Sequence, residues 1–233
     1  KGDPRDPLLL QVLPALAEDL AAPGFVGDPV GDLASARVPG LLQKYAGRAL
    51  LVTTGACAIH CRYCFRREYP YGGQSAAAGH LDTAINAIAG DHTLEEVILS
   101  GGDPLVLAEH RLESVLHALD ELPHVRRIRL HTRVPVVLPE RVDPRLLALL
   151  GRLRTRIVVV IHANHAREID TSVTGALRAL GSVTGPVLNQ SVLLRGVNDS
   201  AEAISDLSRT LFDAGVTPYY LHQLDPVSGA AHF

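Results

Sequence analysis

The sequence predicts an α/β domain built on a parallel sheet, and three observations predict it. Short Val/Ile/Leu-rich runs alternate with longer stretches of helical period. The runs are continuously apolar, as in strands covered on both faces. Glycines and polar residues gather just after their C-terminal ends, where parallel α/β folds place ligands. Alternation of this order gives a parallel sheet with right-handed crossovers. The pattern alone leaves a barrel and a flat doubly wound sheet both open.

Taken in order, Leu8 to Leu20 is apolar at helical spacing, and Pro23-Gly24 ends it. Phe25 to Pro39 is rich in Gly, Pro and Asp and reads as an ordered loop, and Leu41 to Tyr45 as a helical turn. Leu50 to Thr53 reads as the first strand. A cysteine loop follows it, then a helix from Ala76 to Ala89. Further strands are expected at Glu96–Ser100, Arg127–His131, Arg156–Ile161, within Pro186–Leu194, and at Pro218–His222. Helices are expected at Glu109–Leu122, Pro144–Leu153, Ala166–Leu180 and Ala201–Ala214. This divides the chain into a helical and loop extension, 1–48, and a six-stranded unit, 49–233.

Composition narrows the class. At 233 residues with 47% hydrophobic side chains, there is material for one large core. A net charge of -3 points to neither nucleic acid nor a membrane surface, and no apolar run approaches the ~20 residues of a membrane span. The start, Lys1 to Pro7, does not read as a signal peptide. Of 22 Lys+Arg only Lys1 and Lys44 are lysine, which leaves 20 arginines. Methionine is absent even at position 1, as expected of an excerpt of a longer chain or of a sequence that has lost its methionine positions.

All three cysteines fall in Cys57-Ala-Ile-His-Cys61-Arg-Tyr-Cys64. No distant cysteine exists to pair with them, so a reducing cytoplasm is expected. Three thiolates this close ask for a metal and leave a four-ligand metal one ligand short. The spacing alone admits buried thiols, a structural zinc site with a distant fourth ligand, or an iron–sulfur cluster. The aromatic before the last cysteine, and the place of the loop after the first strand, favour the cluster.

On Cys57, Cys61 and Cys64, with Tyr63 before the third, the chain resembles the radical S-adenosylmethionine (SAM) superfamily. The resemblance implies a partial (β/α)6 barrel. It also implies that the cysteines bind three irons of a [4Fe–4S] cluster whose fourth iron is chelated by SAM. Reductive cleavage of SAM would then yield a deoxyadenosyl radical. Tyr63 would pack near the adenine, and Ser100-Gly101-Gly102-Asp103 would contact SAM by close backbone approach and by accepting from its amino group. Arg133 and Asn164 stand at strand ends where SAM could be contacted.

Further segments narrow the resemblance. Gln43-Lys44-Tyr45 through Arg48, Cys64-Phe-Arg66-Arg67, Arg133-Val-Pro-Val-Val-Leu-Pro139, Asn189 to Asp199 and Pro218-Tyr-Tyr220 look like the lysine 2,3-aminomutase family. Val38 to Leu42 and Gly229 to Phe233 look like the branch that makes (R)-β-lysine for elongation factor P. That family moves an amino group from C2 to C3 with pyridoxal 5′-phosphate (PLP). The resemblance assigns Lys44, Tyr45 and Arg48 to PLP, Arg66 to the substrate carboxylate, and Asp199 to the ε-ammonium of L-lysine. It implies a reductant such as flavodoxin or ferredoxin, and a link to elongation factor P and its lysyl ligase. The family's Schiff-base lysine is expected beyond Phe233, since none follows Lys44. The 233 residues alone are therefore expected to be inactive and the longer protein active. Other readings are an aminomutase for glutamate or arginine, or a non-catalytic iron–sulfur or zinc partner protein.

Overall fold

The computed structural model describes residues 3–76 and 79–233. Residues 1, 2, 77 and 78 lie outside that description, and with them part of the helix expected from Ala76. Among the described residues no helix is long and apolar enough to cross a membrane.

The described strands form one eight-stranded sheet whose spatial order is the chain order. Its strands are β1 Ala36–Val38, β2 Leu41–Tyr45, β3 Arg48–Thr54, β4 Glu96–Gly101, β5 Arg127–Thr132, β6 Arg156–His162, β7 Val187–Val192 and β8 Thr217–His222. β1 to β3 pair antiparallel, and β3 to β8 pair parallel. Arg48 pairs with Glu96, Glu96 with Arg127, and Arg127 with Arg156, so these strands start level. A doubly wound sheet would reverse its strand order midway. This order never reverses, so the fold is a partial (β/α)6 barrel whose last described strand, β8, is an edge.

The helices are α1 Pro7–Leu10, α2 Tyr71–Gln74, α3 Leu81–Ala89, α4 Glu109–Asp120, α5 Val134–Val137, α6 Pro144–Arg152, α7 Thr171–Val183 and α8 Ala201–Asp213. Local chemistry sets their starts. Asp143, Asp170 and Ser200 are N-caps whose side chains accept from Leu146, Val173 and Ala203 N–H. The Asp170 cap explains why α7 starts at Thr171 and not at Ala166; residues Ala166–Glu168 form a separate 3-10 turn.

One side of each strand faces the helices. Ala49, Leu51, Val97, Leu99, Ile128, Leu130, Ile157, Val159 and Ile161 join helix residues such as Leu112, Leu116, Leu146 and Leu177 in one buried cluster. Each such side chain contributes about 1.5–3 kcal/mol. The alternate residues Glu96, Ser100, Arg129, His131 and His162 point the other way, into the barrel.

Two expectations fail in the N-terminal part. Leu8 to Leu20 is not one helix but α1 and a 3-10 turn, Leu16–Asp19. Pro14 lacks an N–H and its ring clashes with the preceding turn, so the helix stops before it. Leu41 to Tyr45 is a strand and not a helical turn. Gly47, at φ +73, supplies the left-handed residue that turns β2 back onto β3. β1 and β2 therefore continue the same sheet into the expected extension.

Candidate active site

The cysteine loop leaves the C-terminal end of β3 and packs against the end of β4. Gly102 N–H donates to Thr54 O at 2.6 Å and Asp103 N–H to Ala56 O at 2.8 Å. A Cβ on Gly102 would stand 2.1 Å from Ala56 O, and one on Gly101 2.6 Å from Thr54 O. The glycines are thus required for contact between β4 and the cysteine loop. The Asp103 side chain is engaged within the protein. Its carboxylate accepts from Leu105 N, Thr132 Oγ1, Arg133 N and Val134 N at 2.6–3.1 Å. That set fills its acceptor positions and pins β4 to the end of β5.

Cys57, Cys61 and Cys64 are free and partly buried. Burial, with the charges of Asp103 and the other two cysteines, pushes the Cys57 thiol up to about 12. Burial also raises Cys64. Three thiolates in this loop need a strong positive charge, which iron supplies when it displaces the protons. Thiolates ligate zinc and iron–sulfur clusters alike, and a cluster takes each thiolate on a different iron, so the chemistry of the donor set fits a cluster.

Tyr63 is buried, its ring stacked on His162 and edge-on to Phe233. Its hydroxyl receives hydrogen bonds from Asn164 Nδ2 at 2.7 Å and Arg133 Nη1 at 2.9 Å. The ring is packed by protein here instead of facing an open adenine slot. Asn164 is fully buried; its side chain also donates to Gln11 and accepts from Val192 N–H. It ties the ends of β6 and β7 to Tyr63 and Gln11. Arg133 Nη1 lies 2.7 Å from Cys61 Sγ, and its Nη2 is paired with Glu168 at 2.7 Å. Both ends of the described chain reach this loop. Arg62 donates to Glu18 and to Leu10 O, and its Nη2 lies 2.6 Å from His232 Nε2.

The candidate substrate and PLP residues divide. Arg66 is buried; its Nε lies 2.6 Å from Asp32 Oδ2 and its Nη1 donates to Ser100 Oγ at 3.1 Å. Lys44 Nζ lies 2.6 Å from the other oxygen of Asp32 and donates to Val30 O at 2.7 Å. Lys44 and Arg66, remote in sequence, therefore meet at one carboxylate, and Ser100 joins them through Arg66. Arg48 lies apart, ion-paired at 2.7 Å with Glu96, which also holds Arg127 and Arg129. Tyr45 is exposed. Asp199 is exposed one residue before the Ser200 cap; the preceding Asn198 donates to Asn164 O, and Val197 packs in the cluster of Tyr63.

Sequence reasoning missed four side chains around this mouth. Asp32 is buried in a loop that carries no motif. His131 and His162 stand on the inner face, and burial first, then Arg129 beside His131 and Arg133 beside His162, hold each neutral, down to about 3. Asp225 is half-buried; burial raises its carboxyl, while His222 and Lys44 pull it down and Asp32 repels it. The inward direction of the two histidines was readable from strand alternation. Nothing in the sequence marked the two aspartates, whose loops are placed by tertiary contacts.

The radical SAM superfamily model matches residues 51–207. An Escherichia coli (strain K12) protein named L-lysine 2,3-aminomutase is 48% identical over 233 residues, which is all of this chain and 68% of the relative. A Haemophilus influenzae protein of the same name is 45% identical over 233 residues, all of this chain and 69% of the relative. Among solved structures, a radical SAM methyltransferase from Sphaerobacter thermophilus aligns with a TM-score of 0.48 at 22% identity, covering 77% of this chain and 57% of that one.

Proposed function

The chain belongs to the radical SAM superfamily and, within it, to the lysine 2,3-aminomutase family, and from that premise we propose that it is a PLP-dependent L-lysine 2,3-aminomutase making (R)-β-lysine for elongation factor P. Membership implies a [4Fe–4S] cluster and SAM. Cys57, Cys61 and Cys64 would hold the cluster, and the backbone at Gly101-Gly102 would border SAM. When bound, the cluster and SAM supply a hydrogen-abstracting radical, and PLP supplies the π-system for amino migration.

The observation that carries this reading is the meeting of Lys44 and Arg66 on Asp32, beside the cysteine loop. A guanidinium suits the flat carboxylate of an amino acid. An ammonium suits a phosphate. Arg66 is two residues past Cys64, so the substrate seat and the cluster are tied by a short length of chain. For the ε-ammonium we assign Asp225 in place of Asp199. Asp225 is half-buried, feels the charges of His222 and Lys44, shows no side-chain hydrogen bond among the described residues, and gains from a cation more than an exposed carboxylate does. A flavodoxin or ferredoxin would supply the electron. The cytoplasm, which keeps the three thiols reduced, is the fitting compartment.

The test is incubation of the reconstituted full-length protein with lysine, SAM, PLP and a reductant. β-Lysine is the expected product. Isomerisation of glutamate or arginine, with lysine untouched, would overturn the substrate assignment. Transfer of the product to elongation factor P by its lysyl ligase tests the pathway. Asp225→Ala should lower kcat/KM for lysine by about tenfold to a hundredfold, as loss of one buried charge contact does.

A further inference from the structure

A carboxylate outside every motif stands between the two proposed anion seats. Asp32 is 2% exposed, and each of its oxygens serves a different cation: Oδ1 lies 2.6 Å from Lys44 Nζ, and Oδ2 2.6 Å from Arg66 Nε. We propose that Asp32 is a positioning residue that fixes Lys44 and Arg66 in one geometry, and so couples the seat for the substrate carboxylate to the seat for the cofactor phosphate. This rests on the aminomutase reading above.

The argument starts from donors. A lysine has three and an arginine five. Lys44 uses two, on Asp32 and Val30 O. Arg66 uses Nε on Asp32 and one Nη1 donor on Ser100. Both cations therefore keep donors for an incoming anion, with their directions already set. The backbone that carries Asp32 is anchored. Its own N–H and that of Leu33 donate to the two oxygens of Asp28, at 2.8 and 3.0 Å. The carboxylate cannot turn toward one cation without leaving the other, so a shift of Arg66 is felt at Lys44.

Charge gives the second part. Lys44 and Arg66 bracket Asp32, with the carboxylates of Asp28 and Asp225 nearby, so directed donors and not a net positive charge would hold an anion. Without Asp32 the two cations would repel each other and relax apart. Burial works against the ionised carboxyl, but Arg66 and Lys44 outweigh it and hold Asp32 below the usual carboxylate range. A cleft lined by Asp28, Asp32, Phe65, Arg66, Glu68 and Tyr69 opens on the Asp32–Arg66 pair.

Two measurements on the reconstituted full-length protein test this. First, Asp32→Asn should lower kcat about a hundredfold, as misplacement of a bound substrate does. The Kd for lysine should move less than tenfold and iron content should hold, while the melting temperature falls because two buried cations lose their carboxylate. Second, Arg66→Lys keeps the charge and changes the shape. It should raise the Kd for PLP at least about threefold with Asp32 present and less than about twofold in the Asp32→Asn background, which is a measurable coupling. An unchanged kcat, or an equal PLP shift in both backgrounds, overturns the proposal. If the asparagine variant fails to fold, Asp32→Glu keeps the charge and displaces it, and a weakened coupling is expected there too. If wild-type protein does not isomerise lysine, and Arg66→Lys leaves the Kd for lysine unchanged, the aminomutase reading fails; the PLP coupling still reports on Asp32 separately.

Discussion

The two faces of the parallel strands do different work. On the helix side, Val97, Leu99, Ile128, Leu130, Ile157, Val159 and Ile161 are 3% exposed or less and belong to one apolar cluster. On the inner side the same strands carry Glu96, Ser100, Arg129, His131 and His162. Apolar packing stabilises directly. Buried charges do not: Glu96 with three arginines, or Asp32 with its two cations, loses hydration that the pairing only about restores. The outer face therefore holds the fold together. The inner face is retained at little or no gain in stability, as expected where polar groups serve a ligand.

The difference can be broken first at the mouth. Cys61→Ala should remove the brown absorption near 400 nm of anaerobically reconstituted protein and abolish SAM cleavage, since the cluster loses one of its three thiolates. Gly102→Ala puts a Cβ into the backbone of the cysteine loop. It should lower bound iron and destabilise by more than about 3 kcal/mol, beyond ordinary overpacking, measured by denaturant unfolding. Leu99→Ala sharpens the contrast from the other face. It should cost about 2–5 kcal/mol of stability with no change in the Kd for lysine.

A smaller effect comes from pH. The carboxyl of Asp32 titrates lower in the folded chain than in the unfolded one. Its stabilisation is complete above the unfolded value of about 3.9 and is lost as pH falls through the folded value. Asp32→Asn should therefore lose less stability than wild type on acidification below about pH 5, in unfolding curves taken at each pH. Asp199→Ala should do least, within about 0.5 kcal/mol and without effect on turnover. A large loss of turnover would return Asp199 to the site and displace Asp225.

Strand runs were legible because their signal is local. Glu96–Ser100 and Arg127–His131 each lie within a strand of the structure, since a continuous apolar run between glycine-rich breaks leaves few alternatives. Leu41 to Tyr45 was not, because two leucines and three polar residues suit either period. Only pairing of Leu41 with Leu51 and Leu42 with Leu50 makes it a strand. The Ser-Gly-Gly-Asp motif was visible, but the use of its aspartate was not. Four donors from the ends of β4 and β5 claim that carboxylate.

By itself, the sequence determined what depends on neighbours along the chain. The contiguous cysteine spacing, the alternation of strands and helices, the caps at Asp143 and Asp170 and the proline that stops the first helix are all set within a few residues. The tertiary structure decided what depends on chain closure: the non-reversing strand order, the burial of Asp32 and the half-burial of Asp225, and the assembly of Lys44, Arg66 and Ser100. A carboxylate in a glycine-rich loop looks solvated until the fold puts two cations 2.6 Å from it. Desolvation and pairing are then properties of the assembled site, which no short window of sequence contains.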